Sequence, residues 1–185
     1  FGAGRERVKT PVVLVSILVL MAWAGLVGTG RKAEGVLHEE TTYYHRIQVV
    51  ESVNENGHVE RTLYLDSTVE GAQVPGHDYI PLVYQNYWEL VRVFVPEPGR
   101  AAFVGGGAFL MPQSMADAYP SAEVDVFELD PKVIAVGEKF FRLGEYPSVR
   151  AVAGDARRQI RRSNTRYDMI FGDAYSGVRY VPAHL

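Results

Sequence analysis

Apolar and polar positions change period three times along this chain of 185 residues. The first block, Pro11 to Thr29, runs PVVLVSILVLMAWAGLVGT without a single charge. At about 1.5 Å rise per residue such a block reaches across a hydrocarbon core of about 30 Å. The pattern predicts a transmembrane helix over about 11–29, within an N-terminal section 1–35, followed by a polar connector from Gly30 to His38. Two other readings stay open. One is a secretory signal with Ala22-Trp23-Ala24 as a small-x-small cleavage site, although the apolar run continues past it. The other is a buried core helix. Arg5, Arg7 and Lys9 precede the block and Arg31 and Lys32 follow it, so the flanking charges set no orientation.

The second block alternates in period 2. From Tyr44 to Val50, residues Tyr44, Arg46, Gln48 and Val50 fall on one side, and His45, Ile47 and Val49 on the other. Asn54-Glu55-Asn56-Gly57 is a turn signal, because Asn-Gly supplies the positive φ angles of a tight hairpin. Arg61 to Asp66 reads as the returning strand, and Ser67 to Gln73 as a third. Together they predict a small antiparallel β unit over 42–74.

Tyr79 to Val95 then has helical spacing, with Ile80, Val83, Tyr84, Tyr87, Trp88, Val91 and Val95 apolar. Pro81 suits a first helical turn, and Pro96 and Pro98 end the run. From Arg100 short apolar strands (101–104, 124–129, 149–152, 167–173) alternate with helical stretches (109–119, 131–142, 155–162). That alternation predicts a parallel sheet with right-handed crossovers, an α/β domain over 75–185. Parallel sheets usually hold more than four strands and the sequence stops at Leu185, so the sheet is expected to be incomplete at its C-terminal side.

Composition narrows the chemistry. The net charge is −3, with 22% charged and 47% hydrophobic residues, ordinary values for a folded chain. Arg157, Arg158, Arg161 and Arg162 form a short basic cluster that reads as the wet face of a helix, so no nucleic-acid partner is expected. There is no cysteine, which removes disulfides and thiolate metal sites. The five histidines, His38, His45, His58, His77 and His184, include no i, i+4 pair, and no metal is expected.

The candidate chemistry gathers at strand ends. Gly105-Gly106-Gly107 sits where a strand gives way to a helix, a place where backbone can approach a ligand closely. Glu128 ends the second strand, where a carboxylate accepts hydrogen bonds from both ribose hydroxyls of a nucleotide; a solvated strand end is the alternative. Asp130 reads as the N-cap of the helix that starts at Pro131. Asp155 in Gly154-Asp155-Ala156 is placed to accept from an adenine amino group, to cap the helix after it, or both. Asp173 ends the fourth strand, with Tyr175 and Ser176 just beyond. Ligands of open α/β sheets bind at these strand ends, so all three acidic positions are expected to face one crevice.

These stretches, with Tyr44-His45-Arg46-Ile47-Gln48-Val49-Val50-Glu51 and Leu63-Tyr64-Leu65-Asp66, resemble the spermidine synthase (aminopropyltransferase) family. The other matching segments are Val104-Gly105-Gly106-Gly107, Glu128-Leu129-Asp130-Pro131-Lys132-Val133-Ile134, Val152-Ala153-Gly154-Asp155-Ala156 and Tyr167-Asp168-Met169-Ile170-Phe171-Gly172-Asp173-Ala174-Tyr175-Ser176-Gly177. The resemblance covers 42–185 and implies a methyltransferase-like Rossmann domain behind a small β domain. The apolar block ahead of it is similar to the bacterial subgroup with membrane-spanning N-terminal regions. That implies a membrane-bound protein (inner or plasma membrane) with its soluble domain facing the cytoplasm.

The resemblance further implies transfer of an aminopropyl group from decarboxylated S-adenosylmethionine to an amine such as putrescine, without a metal. Glu128 would hold the ribose, Asp155 and Ala156 the adenine, and Gly105 to Gly107 the methionine-derived chain. Gln48 would lie near the nucleotide, Asp173 would take the proton of the attacking amine, and Asp78, Tyr79 and Tyr175 would line the amine site. A homodimer is a frequent assembly in the family. Two departures stand out. The glycine run continues as Ala108-Phe109-Leu110 where the family carries an acid that contacts the aminopropyl ammonium, and only Asp78 and Tyr79 remain of its usual polyamine motif. The alternatives are an S-adenosylmethionine-dependent methyltransferase on the same fold, and a non-catalytic nucleotide-binding domain of a membrane protein.

Overall fold

Period-2 alternation before Gln73 closes into an antiparallel sheet, and strand–helix alternation after Arg100 closes into a parallel one. The computed structural model describes residues 35–77 and 80–174. The apolar block 11–29, Asp78, Tyr79 and Tyr175 lie outside the described residues. Among the described residues no helix is long and apolar enough to cross a membrane.

The antiparallel sheet is a meander of β1 (Val36–Thr41), β2 (Arg46–Val53), β3 (Val59–Leu65) and β4 (Thr68–Gln73), in that order. Asn54 forms the β2–β3 turn as expected: its Oδ1 accepts from the backbone N–H of Asn56 and of His58, each at 3.0 Å, and Gly57 takes φ +78°. β1 corrects the sequence reading, which placed a polar connector over its first residues. Its sequence, VLHEET, alternates half-buried with exposed along an edge strand, so it lacks the apolar face by which an inner strand is recognised. β2 behaves as predicted, with Ile47 and Val49 buried and Gln48 half-buried on the opposite face.

A second correction concerns the expected helix from Tyr79 to Val95. The chain instead winds as a 3-10 helix over Val83–Val93, and Pro81 lies ahead of it. A short α-helix draws its stability from a packed apolar face. Here Trp88 is buried, but Val83, Tyr87 and Leu90 are exposed, so the spacing in the sequence does not become a buried stripe.

The parallel sheet consists of β5 (Arg100–Val104), β6 (Glu123–Glu128), β7 (Val149–Ala153) and β8 (Met169–Gly172), in the order β7-β6-β5-β8. Helices α1 (Leu110–Ala118), α2 (Pro131–Phe140) and α3 (Ala156–Arg162) connect them. The chain steps outward from β5 to β7 and then returns to the other side of β5. The strand order therefore reverses beside β5, the place where open α/β sheets hold ligands.

One core joins the two sheets. Ile47, Val49 and Leu63 of the antiparallel sheet pack in the same cluster as Phe103, Val124, Val126, Val133 and Phe141. The C-terminal end of α2 is closed by side chains. Arg61 Nη1 and Gln73 Nε2 both donate to the Phe140 carbonyl, at 2.7 and 2.9 Å, and Gln113 Nε2 donates to that of Phe141 at 2.6 Å. Two of these donors come from β3 and β4, so the antiparallel sheet also satisfies the orphan carbonyls of a Rossmann helix.

Phe109 sets the seat of α1. It is fully buried at φ +60°, and its ring fills the space above Gly137 in the middle of α2. Helix propensity alone predicts that Gly137→Ala stabilises the protein by about 1 kcal/mol. A Cβ there would lie 2.6 Å from Phe109 Cδ2 and 2.8 Å from Cε2. Overpacking should reverse the sign, so that Gly137→Ala destabilises by about 1–3 kcal/mol in chemical denaturation. A gain in stability would show that the ring moves aside freely.

Candidate active site

At the reversal of strand order, β5 and β8 end side by side, and the Asp173 backbone N–H donates to the Val104 carbonyl at 2.9 Å. The glycine run leaves β5 there. Gly105 takes φ +98° and any Cβ on it would collide with the Asp173 carbonyl. Gly107 takes φ +49°, and a Cβ on it would lie 2.7 Å from the Glu70 carbonyl. The run is thus wedged between the end of β8 and the middle of β4, where only glycine fits.

Glu128, the last residue of β6, lies beneath this run. Its Oε2 accepts from Gly106 N–H at 2.8 Å and its Oε1 from Asp130 N–H at 2.9 Å. The side chain is buried, and burial pushes its pKa up against the lowering effect of those two N–H groups. A carboxylate offers about four acceptor positions. Two are used, so both oxygens keep capacity for hydroxyl donors.

Asp130 is the N-cap that the sequence predicts. Its Oδ1 accepts from Lys132 N–H at 2.9 Å, and its Oδ2 accepts from the Thr42 hydroxyl at 2.6 Å. Thr42 Oγ1 in turn accepts from the N–H groups of Tyr44 and His45, each at 3.0 Å. The β1–β2 loop is therefore fastened to the start of α2. It carries His45, whose Nδ1 is 3.2 Å from Asp66 Oδ2.

Asp155 caps α3, accepting from Arg158 N–H at 3.0 Å, and remains exposed. Ala156 beside it is buried and lines an open cavity of about 370 Å³ with Val104, Ile160, Gly172 and Ala174. That cavity connects the start of α3 to the ends of β5 and β8. Gly105, Gly106, Gly107, Glu128 and Asp173 therefore meet at one crevice, and Ala156 lines the cavity next to it. No hydrogen bond among the described residues links Gln48 to Glu128 or Asp173. Nor does any group of His, Asp and Glu among them form a cluster able to hold a metal ion.

Sequence reasoning missed Glu70. In β4 the register pairs Leu63 with Gly71 and Tyr64 with Val69, so Glu70 is the extra residue of a β-bulge. A bulge breaks period-2 alternation and re-aims its side chain, which hides such a residue from pattern analysis. Burial, then the Asp173 charge, pushes Glu70 to about 7; His45 opposes this, and Glu128 and Asp66 add to it. Burial also raises Asp173. The Tyr84 phenol, 3.4 Å from the Glu70 carbonyl, is raised by burial and then by Asp173 and Glu70. Acidic groups thus gather at the crevice, and among the described residues His45 is the group that opposes them at Glu70.

Comparison with known proteins agrees with this geometry. A sequence profile of the O-methyltransferase domain matches residues 99–166. The polyamine aminopropyltransferase of Vibrio vulnificus is 30% identical over 160 residues, 81% of this chain and 51% of that protein. The chain is similar to polyamine aminopropyltransferases over most of its described residues. The spermidine synthase of Thermotoga maritima superposes with a TM-score of 0.61 at 19% identity, over 78% of this chain and 48% of that one. A spermidine synthase crystallised with the transition-state analogue AdoDATO gives 0.60 at 19% identity, over 76% and 46%. At these identities the structural likeness establishes the fold: a Rossmann-like methyltransferase sheet with a small antiparallel sheet. The chain spans about half the length of these relatives.

The raised Glu70 pKa carries a stability consequence. The folded value lies above the ordinary one, so the contribution of the protonated form is present at low pH and is lost as pH rises through about 7. Glu70→Gln should raise the melting temperature of the ligand-free protein at pH 8 by about 2–4 °C. That corresponds to roughly 1 kcal/mol once solvent screening of a partly exposed group is allowed for. At about pH 4, below the ordinary carboxylate value, the two proteins should melt together. An equal shift at both pH values would show that the charge is not what costs stability.

Proposed function

We propose that the protein is an aminopropyltransferase, moving an aminopropyl group from decarboxylated S-adenosylmethionine to an amine such as putrescine. The observation that carries this reading is the pairing, across the glycine run, of a buried acceptor-only carboxylate, Glu128, with a half-buried one, Asp173. The named activity of the Vibrio vulnificus relative supports it, as does the AdoDATO complex of a structural neighbour.

In this reading Glu128 accepts from the two ribose hydroxyls through its remaining lone pairs, and Asp155 with the Ala156 N–H meets the adenine edge. Gly105 to Gly107 let the sulfonium-bearing chain lie against the backbone. The sulfonium supplies a good leaving group at the adjacent carbon. An ammonium has no lone pair, so the amine must first lose a proton, and Asp173 accepts it. Burial raises Asp173 and makes it a stronger base than an exposed aspartate. The amine nitrogen then bonds to the carbon, the C–S bond breaks, and its electron pair stays on sulfur as a neutral thioether. Gln48 lies on the nucleotide side in the family pattern, and Asp78, Tyr79 and Tyr175 complete the amine site. Residues 11–29 anchor the protein in the membrane with this domain on the cytoplasmic side, where its nucleotide is made; a domain shielded from cytoplasmic protease in sealed vesicles would overturn that placement.

The decisive test is Asp173→Asn. Amine alkylation should fall by about 10²–10⁴-fold, the usual contribution of a positioned base, while calorimetric affinity for decarboxylated S-adenosylmethionine stays within about threefold. Glu128→Ala should show the opposite division, with affinity lost first. Preference of the wild-type protein for S-adenosylmethionine itself would turn the reading to methyl transfer. Binding of neither nucleotide would remove the enzyme reading and leave the fold.

A further inference from the structure

We propose that Glu70 determines which sulfonium nucleotide the crevice accepts, by placing a carboxylate against the free ammonium of the aminopropyl chain and repelling a ligand that carries a carboxylate there. The inference rests on the aminopropyltransferase reading. Decarboxylated and ordinary S-adenosylmethionine differ at that end of the chain by one carboxylate, so discrimination needs fixed negative charge at that point.

Three features put Glu70 there. It is the extra residue of the β4 bulge, with no partner opposite it on β3. β4 lies directly against the residues that follow β5: the next residue, Gly71, abuts Ala108, and the Glu70 carbonyl and Cβ stand 2.7 and 3.6 Å from where a Gly107 Cβ would be. Asp173 abuts the other end of the run at Gly105. Glu70 and Asp173 thus border the glycine run at its two ends. Ala108 is buried and brings no charge, so the negative charge at this end of the run comes from β4.

Among the described residues no Lys or Arg side chain bonds to the Glu70 carboxylate, as one would to a structural carboxylate. The groups acting on Glu70 are Asp173 beyond β8, Glu128 on β6, Asp66 in the β3–β4 turn and His45 at the head of β2. Tyr84 of the 3-10 segment donates to its carbonyl. Three of these carry negative charge, and His45 is already 3.2 Å from Asp66. An arriving ammonium supplies the missing countercharge and favours the ionised form of Glu70, whose value near 7 then falls.

The test is calorimetric titration of the full-length protein and of Glu70→Gln with three probes. These are decarboxylated S-adenosylmethionine, S-adenosylmethionine, and methylthioadenosine, which has neither ammonium nor carboxylate. The wild-type protein should prefer the decarboxylated form by at least about tenfold at pH 8, where Glu70 is ionised, and by less at pH 6, where it is protonated. Glu70→Gln should lose most of that preference at pH 8 and bind methylthioadenosine as the wild type does. A variant that keeps the wild-type preference overturns the assignment and leaves the aminopropyltransferase reading standing. A variant that loses methylthioadenosine as well shows that Glu70 holds the fold, and this too overturns it. A wild-type protein that binds neither nucleotide, or prefers the carboxylated one, overturns both readings together.

Discussion

Three segments distant in sequence compete for the space around the glycine run, and the rest of the site depends on how that space is shared. The Asp173 carbonyl closes on Gly105, the Glu70 carbonyl on Gly107, and the Glu128 carboxylate binds the N–H of Gly106 between them. Any side chain on Gly105 or Gly107 would push β8 or β4 away and separate carboxylates that now face one crevice. The positive φ angles at both residues make the exclusion doubly strict, since L side chains rarely adopt them. What the glycines give is therefore proximity: they let the strand ends of one sheet meet a strand of the other.

The carboxylates of this domain divide by their company. Asp125 is also buried in the parallel sheet, yet Arg150 donates to both its oxygens, at 2.7 and 2.9 Å, and the Tyr167 hydroxyl donates at 2.7 Å. Burial alone would raise it, but those bonds outweigh burial and hold it below the usual carboxylate range. Asp125 is a settled structural pair. Glu70 and Asp173 are half-buried, no guanidinium among the described residues bonds to either, and both stay raised. Buried charge without a partner opposes folding, and such groups persist where a ligand completes them. The contrast locates the functional face of the protein more sharply than the number of acidic residues does.

Much of this was legible in the sequence, for identifiable reasons. The parallel sheet announced itself because Val124 and Val126, with the neighbouring strands, form short apolar runs between helices with clear caps. Asp130 and Asp155 cap α2 and α3 where their spacing placed them. Glu128 and Asp173 were visible because strand ends are where such folds hold ligands. The failures have equally physical causes. β1 is an edge strand whose polar residues face solvent on one side, so periodicity had little apolar signal to find. The segment Val83–Val93 has helical spacing without a partner for most of its apolar side chains, so spacing overstated its regularity. Glu70 escaped because the bulge interrupts the very alternation by which a strand is read.

That last omission changes how the antiparallel sheet is understood. Read from the sequence, it is a separate unit ahead of a nucleotide-binding domain. In the structure its Ile47, Val49 and Leu63 share the Rossmann core, its Arg61 and Gln73 close the end of α2, and its Thr42 fastens Asp130. Those contacts fix β4 rigidly enough for a bulge residue to hold a charge against the glycine run. The parallel sheet brings Glu128 and Asp173, and the antiparallel sheet brings Glu70 and His45. Because the second pair hangs on a bulge and a loop rather than on the parallel strands, the charge at that end of the crevice can change without disturbing the frame beneath Glu128. Under the proposed reading, a fold arranged this way separates the groups that hold a nucleotide from those that distinguish one nucleotide from another.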